Sequence, residues 1–181
     1  MSARNAAGRQ AIFAFKARGF LPGEGDEPKQ LDLANVQQLD WQQVKDNCDR
    51  LQQVQKMTDA AVKSVRDSAG SAMMSAQQFG TAVHLAVKQE VGLENPDFVA
   101  EKSYLKSAAA DNDKTNYGTK NSVRIDVLEY NRTNNTVCVY DIKTGQAGLS
   151  LPRMIEIAQE AFKAFKRKTP IIVTEVRPSV Y

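Results

Sequence analysis

Two aspartates and a lysine in neighbouring predicted strands are the first residues of this chain that could perform chemistry. Residues 123–130 contain Asp126, and residues 137–143 contain Asp141 and Lys143. Both segments alternate in polarity and are rich in β-branched residues, and a polar turn separates them. This pattern predicts an antiparallel β-hairpin.

The register of that hairpin decides whether the three groups meet. With Thr133 and Asn134 at the tip, Asp126 lies directly opposite Asp141. Lys143 shares a face with Asp141 because side chains alternate along a strand. The other residues on this face are apolar, namely Leu128, Val137 and Val139. Two carboxylates and an ammonium there make a poor core, but they fit a site that holds a divalent cation next to a phosphate.

The composition is that of an ordinary soluble domain. The chain has 181 residues, 42% of them hydrophobic and 25% charged, with a net charge of +3. A small positive excess permits a nucleic-acid partner without indicating one. We expect no membrane segment and no cleaved leader. Cys48 falls on a helical apolar stripe and Cys138 in a predicted strand, so we expect buried free thiols and folding in a reducing cytoplasm.

The spacing of apolar residues predicts the helices and strands that must position these residues, and Gly and Pro indicate where those elements end. A helix is expected near residues 9–17, before a loop at 22–28. Residues 35–69 lack Gly and Pro and have apolar side chains at three- and four-residue steps, which predicts an amphipathic helix, broken at most once. We therefore expect a helical N-terminal extension over residues 1–70.

Residues 71–181 are predicted to form a separate core. Its elements are a helix at 75–91 ending at Gly92, a strand at 98–105, a polar loop at 108–119, the hairpin, a helix at 151–168 and a strand at 171–176. The expected fold class is therefore α/β (α+β), with a central mixed sheet of about four strands flanked by helices.

Three short motifs appear in order along this core. They are GTAVH at 80–84, RID at 124–126 and DIKTG at 141–145. They resemble the glycine-to-histidine helix, the first acidic strand, and the second acid with its lysine in the PD-(D/E)xK nuclease superfamily, in particular its RecB-like branch. The order of helices and strands is also that family's. The resemblance covers residues 80–165 and implies a restriction-endonuclease-like core.

A divalent-metal-dependent nuclease is what this resemblance implies. Asp126 and Asp141 would bind Mg²⁺ or Mn²⁺, and the backbone carbonyl of Ile142 is a further candidate oxygen. Lys143 would orient or deprotonate the attacking water, or stabilise the charged phosphate. Glu101, on the strand at 98–105, stands where the family often places a further catalytic acid.

His84 is the only histidine of the chain. Two interpretations stay open for it. A lone imidazole on an apolar helix is usually packed and hydrogen-bonded. In the RecB-like branch this position can bind metal, and imidazole suits Mn²⁺ better than Mg²⁺.

The last predicted helix departs from the RecB-like pattern, in which a Tyr follows a Gln by four residues. Here Lys163 follows Gln159. Gln159 is a candidate for binding substrate, and Lys163 belongs to a basic helix end that fits either the helix dipole or a phosphate contact. Thr144 and Arg153, near the acids in sequence, are further substrate-binding candidates.

The leading hypothesis is a DNase, with DNA as partner, that serves as an antibacterial toxin domain. It would act in the cytoplasm, after delivery into a target cell, and a cognate immunity protein would neutralise it. The alternatives are a repair or recombination exonuclease, a non-catalytic nucleic-acid-binding module, and a helical interaction protein built around residues 35–69. For the Asp-Asp-Lys set alone, a cross-strand ion pair is the simpler explanation. The hairpin register and the flanking motifs favour a site.

Overall fold

The computed structural model describes residues 14–17, 20–21, 30–31, 36–92, 95–105, 122–165 and 170–179. The strands are β1 (Ala14–Ala17), β2 (Phe20–Leu21), β3 (Gln30–Leu31), β4 (Val36–Leu39), β5 (Phe98–Leu105), β6 (Ser122–Asn131), β7 (Thr136–Ile142) and β8 (Ile171–Val176). The helices are α1 (Trp41–Asn47), α2 (Leu51–Asp67), α3 (Ala76–Val91) and α4 (Leu151–Phe165), and a short 3₁₀ helix spans Ser71–Met73. The loops predicted at 22–28 and 108–119 lie outside the described residues.

A mixed sheet in the order β4-β1-β8-β7-β6-β5 forms the centre of the fold. Strands β7 and β8 pair in parallel, and the other neighbours pair antiparallel. The predicted fold class is confirmed, since β5, β6, β7 and β8 are the four expected strands and helices cover the sheet. A separate pair, β2 and β3, lies outside this sheet.

The N-terminal region contributes strands as well as helices. Residues Ala14–Ala17, where a helix was expected, instead pair with β4 on one side and β8 on the other. The helix expected from residue 35 begins only at Trp41, because Val36–Leu39 forms β4 and Asp40 caps α1. Four-residue strands carry too little periodicity to be recognised, and only their pairing partners reveal them.

Two apolar clusters fill the two faces of the sheet. Helices α2 and α3 pack on the face that includes Val127, Tyr140 and Ile142. Helix α4 packs on the opposite face, against the Leu128, Val137 and Val139 set named above. The first cluster joins buried residues of α2 to those of α3 and the sheet, so residues on both sides of position 70 share one core.

Local signals explain where α3 begins and ends. Ser75 and Gln78 form a capping box, which satisfies two backbone N–H groups of the first turn. Gly92 ends the helix with a φ of 67°, a conformation that favours glycine. The helix predicted over 75–91 is confirmed.

A disulfide joins Cys48, at the end of α1, to Cys138 in β7. Their Cα atoms lie 6.0 Å apart although 90 residues separate them in sequence. The expectation of two free thiols is therefore wrong. Helix periodicity placed Cys48 on a buried stripe, but it did not reveal that this stripe faces β7. Nearby, the Asn131 and Asn134 side chains donate to the Asn47 carbonyl at 3.1 and 2.9 Å.

A buried carboxylate holds the start of α2 against the sheet. Glu129 of β6 accepts the backbone N–H groups of Asp49 and Arg50 at 3.0 and 3.1 Å, and it accepts the Tyr140 hydroxyl. Arg50 is the N-cap of α2, but its side chain makes no capping hydrogen bond. The Glu129 carboxylate instead accepts the backbone N–H at this helix start. Burial raises the pKa of Glu129 above 4.5, although these hydrogen bonds oppose the shift.

We predict that Glu129→Gln changes how stability depends on pH. Because the folded-state pKa of Glu129 is raised, its contribution to stability is fully present below pH 4.5 and is lost as pH rises through the folded-state pKa. Gln keeps hydrogen-bonding capacity but does not ionise. The free energy of unfolding of the variant, minus that of the parent, should therefore rise with pH and then level off. Urea denaturation from pH 4 to 8 measures it, and a difference independent of pH would contradict the prediction.

Candidate functional site

Strands β6 and β7 separate at the two aspartates. The register pairs Val127 with Tyr140 and Asn131 with Thr136, which confirms the predicted turn and would place Asp126 opposite Asp141. Beyond Val127, the Asp126 side chain replaces a backbone partner, since its Oδ2 accepts the N–H of Ile142 at 2.8 Å. The backbone pairing of β6 with β7 therefore ends at Val127 and Tyr140, and the two aspartates directly follow this last pair.

Helix α3 brings His84 to Asp126. The imidazole Nδ1 lies 3.1 Å from Asp126 Oδ1, and the Nε of Arg124 lies 3.7 Å from the same oxygen. Burial acts to lower the pKa of His84, but the Asp126 carboxylate outweighs it and raises this pKa above 6.5. The imidazole is thus held near a carboxylate at the edge of the apolar core.

Lys143 lies beside Asp141, as the strand alternation predicted. Its Nζ is 2.6 Å from Asp141 Oδ2. The pKa of Asp141 is raised, mainly by burial and next by the negative charge of Asp126, while the charges of Lys143 and Arg153 act to lower it. The charge of Asp126 therefore acts on Asp141. Asp126 nevertheless contacts His84 of α3, the helix that packs on the face opposite Val137 and Val139, so the structure does not show the single shared face predicted for the two aspartates.

Glu101 of β5 lies near Asp126, since both carboxylates contact Arg124, and its backbone has an unusual conformation. Its φ of 51° lies in the left-handed region, and the β5–β6 pairing skips the Glu101–Asp126 position. Its carboxylate lies 3.6 Å from Lys88 and 3.8 Å from Arg124. A non-glycine residue in this conformation costs about 1 kcal/mol or more, so surrounding contacts must maintain it.

Thr144 connects the strand motif to the helix motif. A Cβ atom added at Gly80 would come within 3.1 Å of the Thr144 Oγ1. The absence of a side chain at Gly80 therefore allows α3 to approach the segment that follows Lys143. The contact between Gly80 and Thr144 therefore explains in physical terms how the GTAVH segment and the DIKTG segment come close together.

The candidates on α4 are placed less closely around the acids. Arg153 donates to Glu156 at 2.5 Å and to the Arg124 carbonyl at 3.5 Å. Gln159 is half-buried, about 9 Å further along the helix by its rise per residue. The side chain of Lys163 lies outside the described residues.

The acids form a buried floor surrounded by more exposed cations. The side chains of Asp141, Asp126 and Glu101 are 6, 7 and 8% exposed, whereas those of Lys143, Arg153, Arg124 and Lys88 are 31, 36, 37 and 43% exposed. Lys88 and Arg124 were not among the residues predicted to form the site. Their spacing could have identified them. Arg124 lies two residues before Asp126 on the same strand, and Lys88 lies one helical turn after His84, so each is close to a predicted site residue.

The types of donor in this region suit a divalent cation. Within the described part of the chain, no group of three or more His, Cys, Asp or Glu side chains is arranged so that it could hold a metal ion. Nevertheless, His84 Nδ1 and Asp141 Oδ2 are buried without a well-aligned hydrogen bond to any described residue. Carboxylates suit Mg²⁺ and Mn²⁺, and imidazole adds preference for Mn²⁺. The Ile142 N–H turns toward Asp126, and in an extended strand its carbonyl points the same way.

We predict that the His84 imidazole titrates above pH 6.5 in metal-free protein. Because the chain has one histidine, a single imidazole resonance in an NMR titration reports this pKa without ambiguity. Asp126→Asn removes the carboxylate that raises it, so the pKa should fall in that variant. Asp46→Asn, on the exposed surface of α1, serves as the control and should leave it unchanged. Equal values in the parent and Asp126→Asn would contradict the arrangement described.

Comparison with known proteins identifies no relative. No family model, no curated protein and no solved structure matches this chain. Among the described helices, none has the length and apolar character needed to cross a membrane.

Proposed function

We propose that this chain is a divalent-metal-dependent nuclease of the PD-(D/E)xK superfamily, similar to its RecB-like branch, that hydrolyses phosphodiester bonds in DNA. The observation that carries the proposal is the buried acidic floor with its rim of partly exposed cations. Adjacent buried carboxylates repel one another, and a divalent cation relieves that repulsion. A rim of lysine and arginine attracts a polyanion toward the acids.

Asp126 and Asp141 would hold the cation, with His84 and the Ile142 carbonyl as further ligands. A bound Mg²⁺ or Mn²⁺ supplies a Lewis acid that lowers the pKa of water and offsets charge on the phosphate. Lys143 would hold a proton at Nζ next to the attacking water or place its positive charge beside the phosphate. The water oxygen would give up a proton as it bonds to phosphorus, the bond to the leaving oxygen would break, and that oxygen would take up a proton, so that one water is consumed for each bond cleaved.

The remaining candidates would bind and orient substrate. Glu101 fixes Lys88 and Arg124 at the rim, and its carboxylate is available as a further acid of the site. Arg153, Arg124 and Lys88 would contact phosphates of the DNA backbone, which favours cleavage with little base recognition. Thr144, Gln159 and Lys163 would extend this surface along the segment that leads into α4 and along α4 itself.

Incubation with supercoiled and linear DNA tests the proposal directly. Cleavage should require Mn²⁺ or Mg²⁺ and should stop when a chelator is added. Loss of supercoils before linear ends shorten would identify endonuclease action, and the reverse order would identify an exonuclease. A protein that binds DNA but cleaves none of it with either ion would instead be a non-catalytic module.

The Cys48–Cys138 disulfide favours a delivered toxin over a repair exonuclease as the biological setting. Disulfides form and persist mainly in oxidising compartments outside the cytoplasm. A toxin that leaves one cell and cuts DNA in the cytoplasm of another passes through such a compartment. Expression in bacteria tests this setting. Toxicity that a neighbouring gene relieves would support a toxin with a cognate immunity protein, and harmless expression of an active nuclease would support repair.

A further inference from the structure

The segment between Lys143 and α4 has no regular structure, yet two side chains from the far end of the chain hold it in place. Glu175, in β8, is the sheet neighbour of Asp141. It accepts the backbone N–H of Leu149 and the Nε of Arg177. Arg177 in turn donates to the carbonyls of Gly145 and Gln146, at 2.8 and 3.4 Å.

This pair is itself well buried and tightly packed. The side chains of Glu175 and Arg177 are only 11 and 10% exposed, and a Cβ at Gly148 would come within 3.2 Å of Glu175 and 3.4 Å of Arg177. Residues 145–148, in contrast, are exposed to solvent. An exposed segment fixed by an enclosed ion pair at three backbone positions has far less freedom than an ordinary loop.

The segment connects two groups of candidate site residues. Lys143 and Thr144 precede it, and α4, with Arg153, follows it. Lys143 contacts Asp141 at 2.6 Å, and the charge of Arg153 acts on the same carboxylate. The backbone N–H of Lys143 donates to the Val176 carbonyl at 2.9 Å, so the segment begins at a fixed point of the sheet. Its placement therefore bears on the side chain of Lys143 and on where α4 presents Arg153.

We propose that Glu175 and Arg177 form a positioning pair that fixes residues 145–149 and thereby holds the side chains of Lys143 and Arg153 in their places near the acids. Its catalytic consequence rests on the nuclease function proposed above. The described side-chain hydrogen bonds of the pair join its two members to each other and to the backbone of this loop, so it acts through the loop. Loss of the pair leaves the cation ligands intact but lets Lys143 leave its working position.

Glu175→Gln and Arg177→Gln test the proposal in the chain of 181 residues. A glutamine at position 175 can satisfy only one of the two donors that Glu175 accepts. In metal-free protein, hydrogen exchange at the Leu149 amide, which donates to Glu175, should become faster. Reductive methylation of Lys143, followed by peptide mass spectrometry, should also become faster as its amine leaves Asp141. Neither measurement requires enzymatic activity.

The kinetic readout separates positioning from general stability. With plasmid DNA and Mn²⁺, kcat should fall about 10- to 100-fold while KM changes little. Mn²⁺ affinity, measured by calorimetry, should not change. Arg177→Lys keeps the charge but loses the two-carbonyl fork, so its kcat should lie between those of the parent and Arg177→Gln. Asp97→Asn, which breaks the exposed Asp97–Arg132 pair, is the matched control and should match the parent.

Two results would overturn the proposal. Unchanged exchange and unchanged Lys143 reactivity would show that the pair does not hold the loop, whether or not the protein cleaves DNA. A released loop with full kcat would show that its position does not matter for cleavage. If the parent protein cleaves no DNA, the proposed nuclease function is wrong. The reactivity of Lys143 then still shows whether Glu175 and Arg177 position this residue.

Discussion

Asp141→Asn should lower the rate of DNA cleavage by about 10³-fold or more while leaving the fold intact. The substitution removes one of the two carboxylates that would hold the cation, and it removes the partner of Lys143. Because Asp141 is buried next to Asp126, its raised pKa indicates an unfavourable charge in the metal-free protein. The neutral amide should therefore leave the free energy of unfolding unchanged or increase it. Activity and urea denaturation, measured on the same preparation, check both parts.

Matched variants make this result specific. Asp126→Asn and Lys143→Met should lose activity to a similar extent, since each removes one group from the same site. Asp46→Asn changes an exposed acid of α1 and should retain full activity. Substantial cleavage by Asp141→Asn or Lys143→Met would end the nuclease proposal. An inactive but unfolded variant would be recognised by its denaturation curve.

Removal of the disulfide should have the largest effect on stability. Cys48→Ala combined with Cys138→Ala releases a connection across 90 residues, which is expected to lower the free energy of unfolding by about 4 kcal/mol. For a chain of this size the melting temperature should fall by roughly 10 °C. Differential scanning calorimetry of the parent, with and without reductant, and of the double variant measures the effect.

The reductant supplies the internal control. It should lower the melting temperature of the parent but leave that of the double variant unchanged. A parent whose melting temperature does not respond, and whose cysteines are both alkylated in denaturant without prior reduction, would show that the bond is not formed. That result would also remove the support for a route through an oxidising compartment.

Local sequence patterns predicted most of the sheet because they record local physics. The hairpin register followed from alternation and turn length, and α3 followed from its cap, its apolar spacing and Gly92. The position of Lys143 beside Asp141 also followed, because strand geometry fixes which side chains share a face. These features depend on residues close together in the chain.

Other features depend on contacts between distant parts of the chain. Strand β1 is defined by its pairing with β8, and the disulfide by the packing of α1 and α2 on β7. The left-handed Glu101 arises where β5 and β6 lose one pair, which no glycine or turn signal marks. Glu175 lies near the end of β8 and Arg177 directly follows that strand, and no sequence motif marks either residue. Their role appears only once β8 lies beside β7.

The place of β8 in the sheet has a consequence for how the protein emerges from the ribosome. This strand is the last of the eight described strands, yet it lies between β1 and β7. A nascent chain that has produced the helices and the hairpin still lacks the strand that joins its early and late halves. The two aspartates can therefore be synthesised well before Glu175 and Arg177 exist to organise the loop beside them. If the chain is the nuclease proposed above, an unfinished polypeptide would carry both aspartates with the loop beside them not yet organised.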